Sequence, residues 1–270
     1  EMARRLKTEL KNLYVLDVPQ DVIQKDEVLP LIAEYNARMY PVKTKLDFQE
    51  GSPIEKILQE DGNKNGPELL ILGSRGNKGI KKMLLGSVSE EVLRRATKPV
   101  LVLGAEAQER RYKLSANKKM KMMVLTDLTP ASGPAERSAL ELAKTLDAEV
   151  VLVHSVGDQI RRLKDMLYSR RVVSSGVEDM FKQMRDDAKF LLNKKVKAFQ
   201  QQGIVVEGQL LLNETDVSRV VSRQVEERKC DIVVMGTHSR NKFLKAFLGS
   251  TARNMILSSP VPVLIVRSKS

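Results

Sequence analysis

The chain has 270 residues, 42% hydrophobic and 30% charged, which suits two modest globular domains, each with its own core. A single cysteine, Cys230, excludes an internal disulfide framework and a cysteine metal cluster, and no apolar run reaches the length of a membrane-spanning helix. The formal charge of +12 favours anionic partners, but with 4% aromatics and no tryptophan the chain lacks the stacking side chains of a dedicated nucleic-acid surface.

In chain order, "EMARRLKTELK" is a charged helical stretch unlike a secretory leader, and "KNLYVLDVP" follows as a strand. "GSPIEKILQE" predicts a helix with Ser52 at its N-cap, Pro53 in the first helical position and Glu55 closing a capping box. "ELLILG" is continuously apolar, as expected of a strand buried on both faces of a parallel sheet. A loop from Gly73 to Ser87 leads into the helix "SVSEEVLRRAT", whose apolar stripe is Val88, Val92 and Leu93, and "KPVLVLG" closes this part.

Residues 105–118 are polar and basic and predict a linker. Beyond it, "KMKMMVLTD" predicts a strand ending at Asp127, with its methionines in the core. "AERSALELAKTLD" follows as a helix with Ala139, Leu142, Ala143 and Leu146 on one face, and then "AEVVLVHSV" as a second strand that carries His154 as a core histidine. A charged, helix-prone stretch comes next. "ETDVSRVVSRQVEE" predicts a helix capped by Thr215, "DIVVMG" a buried strand headed by Cys230 as a small hydrophobe, "STARNMILSS" a helix and "VPVLIVR" the last strand. The βαβ order argues for parallel sheets with right-handed crossovers.

The chain repeats itself. Residues 67–104 align without gaps on residues 230–267, an offset of 163, so that Gly73 falls on Gly236, Gly86 on Gly249, Ser87 on Ser250 and Pro99 on Pro262. Two copies of one domain follow: residues 1–104 and 119–270, joined by 105–118. The first copy has no counterpart of the strand that ends at Asp127, and the reading expects further N-terminal sequence to supply it. The second copy is longer by 26 residues between its second strand and its glycine motif, because the offset rises from 137 at Val18/Ser155 to 163.

These residues resemble the universal stress protein family in its tandem form, over nearly the whole chain. The family's nucleotide signature, G-x2-G-x9-G-[ST], is complete at Gly73, Gly76, Gly86 and Ser87, whereas the second copy reads Gly236, Ser239, Gly249 and Ser250. The resemblance implies an α/β fold: two tandem doubly wound, mostly parallel five-stranded sheet domains of the adenine nucleotide alpha hydrolase-like kind, the first without its opening strand. It implies ATP, ADP or AMP as ligand, with or without Mg²⁺, and a regulatory binding role in a cytoplasmic stress response, with ATP hydrolysis slow at most. Loops at the carboxyl ends of parallel strands face the ligand crevice, glycines permit positive φ and close approach, and a helix opening at Gly-Ser favours an anion.

Carried onto this chain, the family's nucleotide contacts fall on Val18, Leu72, Gly73, Arg75, Gly76, Gly86, Ser87 and Val88 in the first copy. In the second they fall on Thr126, Asp127, Ser155, Met235, Gly236, His238, Ser239, Gly249, Ser250 and Thr251. Val18 and Ser155 match adenine-packing positions, and Asp127 matches a carboxylate for ribose hydroxyls or a metal; the residues themselves leave open a plain turn at Gly73–Gly76 and a helix-capping or amide-binding Asp127. A side chain at Ser239 crowds the phosphates, so the first copy is the better triphosphate site once an opening strand completes it. No catalytic group and no resident metal site is expected, because no Ser-His-Asp or Cys-His arrangement, metal-ligand cluster or Walker sequence is present.

Two other readings stand beside this one. The closing strands "PVLVL" and "PVLIV" are expected to pair antiparallel within the chain as a pseudo-dimer, a scaffold that needs no nucleotide; a homodimer is a further partner. The charge of +12 alone supports nucleic-acid binding less well, and no membrane partner is expected.

Overall fold

The computed structural model describes residues 1–17, 25–39, 44–74, 85–110, 112–115, 118–169, 176–212, 216–237 and 248–267. The first half comprises α1 (Met2–Arg5), β1 (Leu10–Leu16), α2 (Lys25–Met39), β2 (Thr44–Glu50), α3 (Pro53–Gly62), β3 (Leu70–Gly73), α4 (Ser87–Arg95) and β4 (Val100–Leu103). A short helix, α5 (Ala105–Glu109), opens the connection. The second half comprises β5 (Lys121–Leu125), a 3-10 turn at Pro130–Ser132, α6 (Gly133–Leu146), β6 (Glu149–Ser155), α7 (Gly157–Ser169), α8 (Gly176–Gln201), β7 (Val206–Leu211), α9 (Val217–Glu227), β8 (Ile232–Gly236), α10 (Ser250–Ser258) and β9 (Val263–Val266).

The second half is the five-stranded parallel sheet that the family resemblance implied, in the order β9-β8-β5-β6-β7. Its four strands inside the β7 edge are buried on both faces and alternate between two cores with a period of two. Met123, Val151, Val153, Val233 and Val263 pack on the side of α9 and α10. Met122, Val124, Val150, Leu152, Val234 and Leu264 pack on the side of α6 and α8. Ala135, Ala139, Ala143 and Leu146 form the buried face of α6; Leu142 is only partly buried. The methionines of the opening strand and Cys230 are core residues, as expected, and burial pushes the Cys230 thiol up to about 11.

The four strands of the first half are split between two sheets. β1 and β2 pair in parallel as a two-stranded sheet, while β3 and β4 extend the second half's sheet to seven strands. The reason is visible in the second half, where β5 lies between β6 and β8 and bonds to both. Among the described residues nothing takes that place between β1 and β3. Polar ties serve the first half instead. Asp61, buried at the end of α3, accepts Thr97 N at 2.7 Å and Lys98 N at 2.9 Å, which fixes α3 to the turn before β4. Lys11 on β1 pairs with Asp47 on β2 at 2.7 Å and Glu60 on α3 at 2.9 Å.

The halves join through β4 and β9, which run antiparallel with Val100, Leu101 and Val102 opposite Ile265, Leu264 and Val263. Leu101 thus faces its own repeat equivalent, Leu264, and the register has twofold symmetry about that pair. Across the same junction Arg253 of α10 meets Glu90 of α4 at 3.2 Å; these two residues are also repeat equivalents, 163 apart. The connecting segment packs down on the second half: Ala105 and Ala107 are buried, Tyr112 Oη donates to Asp231 O at 2.8 Å, and Arg110 pairs with Glu226.

Two expected helix caps differ. Ser52 occupies the N-cap of α3 but makes no side-chain cap bond, so the capping box does not form. The cap of α9 is Asp216, one residue later than expected, and its carboxylate accepts Ser218 N at 2.9 Å.

Candidate functional site

A cavity of about 820 Å³ lies at the carboxyl ends of the second half's central strands, where open parallel sheets hold ligands. The end of β5 contributes Leu125, Thr126 and Asp127; β6 contributes Val153, His154 and Ser155; β8 and its extension contribute Met235, Gly236 and Thr237. The start of α10 contributes Gly249, Ser250 and Thr251. Of the expected site residues, Thr126, Asp127, Ser155, Met235, Gly236, Gly249, Ser250 and Thr251 are therefore brought together in one cavity. His238 and Ser239 lie outside the described residues.

α10 begins at Gly249 with no side-chain cap, so the free N–H groups of its first turn face the cavity end with Ser250 and Thr251. The loop neck is held by Gly249 N donating to Thr237 O at 3.4 Å. Neither Gly236 nor Gly249 uses the positive φ that glycine permits. Among the described residues only Gly51 and Gly203 are positive-φ glycines, and Gly249 sits at φ −59. A Cβ at Gly236 would come no closer than 3.8 Å to any protein atom, so packing within the protein does not demand glycine there.

Asp127 stands at the cavity edge, two residues past the strand. Its Oδ1 accepts Thr129 N at 2.9 Å and Thr129 Oγ1 at 2.8 Å, an Asx turn that fixes the carboxylate. The next residue, Leu128, holds a left-handed φ of 63, a strained conformation for a leucine that costs roughly 1–2 kcal/mol. It is held there by Thr126 Oγ1, which accepts Leu128 N at 3.0 Å, and by packing against two of the core clusters.

A polar network beneath this loop escaped sequence reading. Thr126 Oγ1 donates to Glu136 Oε1 at 2.5 Å, Ser132 Oγ lies 2.8 Å from the same oxygen, and Lys195 Nζ donates to Glu136 Oε2 at 2.6 Å. His154 Nδ1–H donates to Thr126 O at 2.8 Å and is buried, consistent with its expected place in the core. Also missed was the cavity's outer wall, which comes from α7 and α8: Gln159, Arg162, Leu163, Met166 and Met184. The one signal available was that the extra 26 residues enter the sequence between the strand that carries Ser155 and the glycine motif.

In the first half, Leu72 and Gly73 end β3, while Gly86, Ser87 and Val88 open α4; Gly86 caps the helix without a side-chain bond, at φ −65. Gly86 N donates to Ser74 O at 2.8 Å, the same neck bond as in the second half, and Ser89 Oγ donates to Gly73 O at 2.7 Å. The Ser74 hydroxyl is fully buried and has no hydrogen-bond partner among the described residues; its repeat equivalent, Thr237, lines the second half's cavity. Val18, Arg75 and Gly76 lie outside the described residues. Among the described residues no group of three or more His, Cys, Asp or Glu side chains is arranged to hold a metal, and no helix is long and apolar enough to cross a membrane.

The family profile of the universal stress protein family matches residues 1–104 and again 119–267. A universal stress protein of Mycobacterium tuberculosis is 25% identical over 238 residues, covering 85% of this chain and 70% of the relative. A stress response protein of Bacillus subtilis is 31% identical over 100 residues, 36% of this chain and 60% of its own length. Among solved structures, a universal stress protein of Archaeoglobus fulgidus superposes over 97% of this chain and 86% of its own, with a TM-score of 0.61 at 21% identity. The chain belongs to the universal stress protein family, in its tandem form.

Proposed function

We propose that the protein binds an adenine nucleotide in the second-half cavity and acts in the stress response as a regulatory binding protein, not as an efficient enzyme. The observation that carries this reading is the convergence of Asp127, Ser155 and the uncapped first turn of α10 around one cavity. Its residues fit such a ligand. The α10 N–H groups and the Ser250 and Thr251 hydroxyls offer donors for phosphate oxygens, the Asp127 carboxylate is an acceptor for ribose hydroxyls, and Val153, Val221 and Met235 supply an apolar bed for the base. The volume lies in the upper range of ordinary small-ligand pockets. In the first half, the buried Ser74 hydroxyl at the loop neck, without a partner among the described residues, supports a second, related anion site.

Isothermal titration with ATP, ADP and AMP, with and without Mg²⁺, tests the assignment. Asp127→Ala is expected to weaken binding about tenfold, in keeping with the loss of one charge-assisted hydrogen bond. Unchanged affinity in this variant, or no binding at millimolar nucleotide, overturns it.

A second reading rests on the β4–β9 register: the two domains, 1–104 and 119–270, close on each other as a pseudo-dimer through a pairing that needs no ligand. In this reading 105–118 is the tether. The single buried cysteine suits a cytoplasmic location.

A further inference from the structure

The repeat alignment leaves one element of the second half without a counterpart. In the first half a single described helix, α2, lies between β1 and β2, whereas in the second half α7 and α8 both lie between β6 and β7. α7 starts at Gly157, directly after the strand that carries Ser155 into the cavity. Its residues divide by helical spacing into two working faces. Ile160, Leu163 and Leu167 pack against Phe181 of α8, which is fully buried. Gln159, Arg162, Leu163 and Met166, at i, i+3, i+4 and i+7, line the cavity. Met166 is left 45% exposed on that wall. A half-exposed methionine is a poor use of apolar surface for stability, but its flexible, polarisable thioether is well suited to cover an aromatic ring. Arg162, one turn earlier, and Asp127 are the Lys, Arg, Asp or Glu residues that line the cavity among the described residues.

Resting on the adenine-nucleotide reading, we propose that α7 is the ligand-selecting wall of the second-half cavity. Met166, with Met184 of α8 beside it on the same wall, covers the purine ring, and Arg162 sets the preference for ligands with more negative charge. The two residues divide the work by chemistry. Covering a ring acts alike on every nucleotide with the same base. A guanidinium in the cavity acts in proportion to the ligand's charge, and so favours a triphosphate over a monophosphate. The wall belongs to the second half alone, so two repeats with one loop motif present different selectivity.

Titrations with ATP and AMP, together with methionine methyl NMR, test the proposal on the full chain. Met166→Ser is expected to weaken ATP and AMP binding equally, by about fivefold, while Met166→Leu retains most of the affinity. Arg162→Gln is expected to lower the ratio of ATP to AMP affinity by at least threefold. In the wild type, saturating AMP should shift the Met166 and Met184 methyl resonances upfield through the purine ring current and leave Met120, buried in the other core, in place; a purely structural α7 would not produce this pattern. If the wild type binds no nucleotide, both the adenine-nucleotide reading and this one fall. If the wild type binds, and Asp127→Ala weakens binding, while the α7 variants keep wild-type affinities and the methyl groups stay unmoved, only the selecting wall is overturned.

Discussion

Ile71 and Val234 stand at the same point of the repeat, two residues before the glycine that opens each loop, yet Ile71 is 45% exposed and Val234 is fully buried. Both are apolar, both sit in parallel strands, and both strands lead into a matching glycine loop stapled at its neck by the same backbone bond. The difference is the neighbour: β8 has β5 along its other side and β3 does not. In a parallel sheet the burial of a residue is set as much by the strand beside it as by its own side chain.

The largest effect that tests this contrast is a charge placed at the paired positions. Val234→Asp should cost more than about 3 kcal/mol, because it buries an unpaired carboxylate, whereas Ile71→Asp should stay within about 1 kcal/mol. Urea unfolding of both variants decides it, and equal costs would mean that the first half's sheet is not open at β3. Next is Gly104, the repeat equivalent of Arg267. A Cβ there would lie 1.8 Å from Ile256 O, a backbone atom that cannot step aside. Gly104→Ala should therefore cost about 2 kcal/mol or more, read as a fall in melting temperature, with Arg267→Ala as the mild counterpart.

A smaller effect is expected at the junction. Glu90→Arg sets two arginines against each other between α4 and α10 and should cost under about 1 kcal/mol, as exposed pairs do. The double exchange Glu90→Arg with Arg253→Glu should restore the loss, and added salt should erase it. The smallest is a pH dependence confined to the first half. The Lys11 ammonium bonded to Asp47 holds that carboxyl below its ordinary 3.8. A depressed folded value means that the contribution is present above about pH 3.8 and is lost as pH falls through the lower folded value. Melting curves between pH 5 and pH 2 should show this slope, and Asp47→Asn should flatten it.

Much of this architecture was legible in the residues. The gapless alignment of 67–104 on 230–267 gave the two halves, and continuous apolar runs gave the strands of the complete sheet. Cys230 and His154 lie in the core as small or buried side chains within such runs should. What stayed hidden depends on partners far away in sequence. The Glu136–Lys195 ion pair joins residues 59 apart, and nothing local in either helix names the other. The periodicity of α7 predicts a helix but not that one of its faces lines a cavity. The failed capping box at Ser52 shows the opposite limit, a local pattern that the fold left unused. Of the two reasons for the motif glycines, positive φ is not used at Gly236, Gly249 or Gly86, where the backbone angles are open to any residue.

The ion pair between Glu90 and Arg253 has one more consequence. Residues that meet beside a twofold axis in a homodimer are copies of each other, so a charge there always faces its own kind. Joining the two copies in one chain lifts that restriction, and here the two positions have taken opposite signs. Cut apart, neither half could pair with itself without setting glutamate against glutamate or arginine against arginine. The duplication thus carries a small, salt-sensitive preference of each half for the other over a copy of itself.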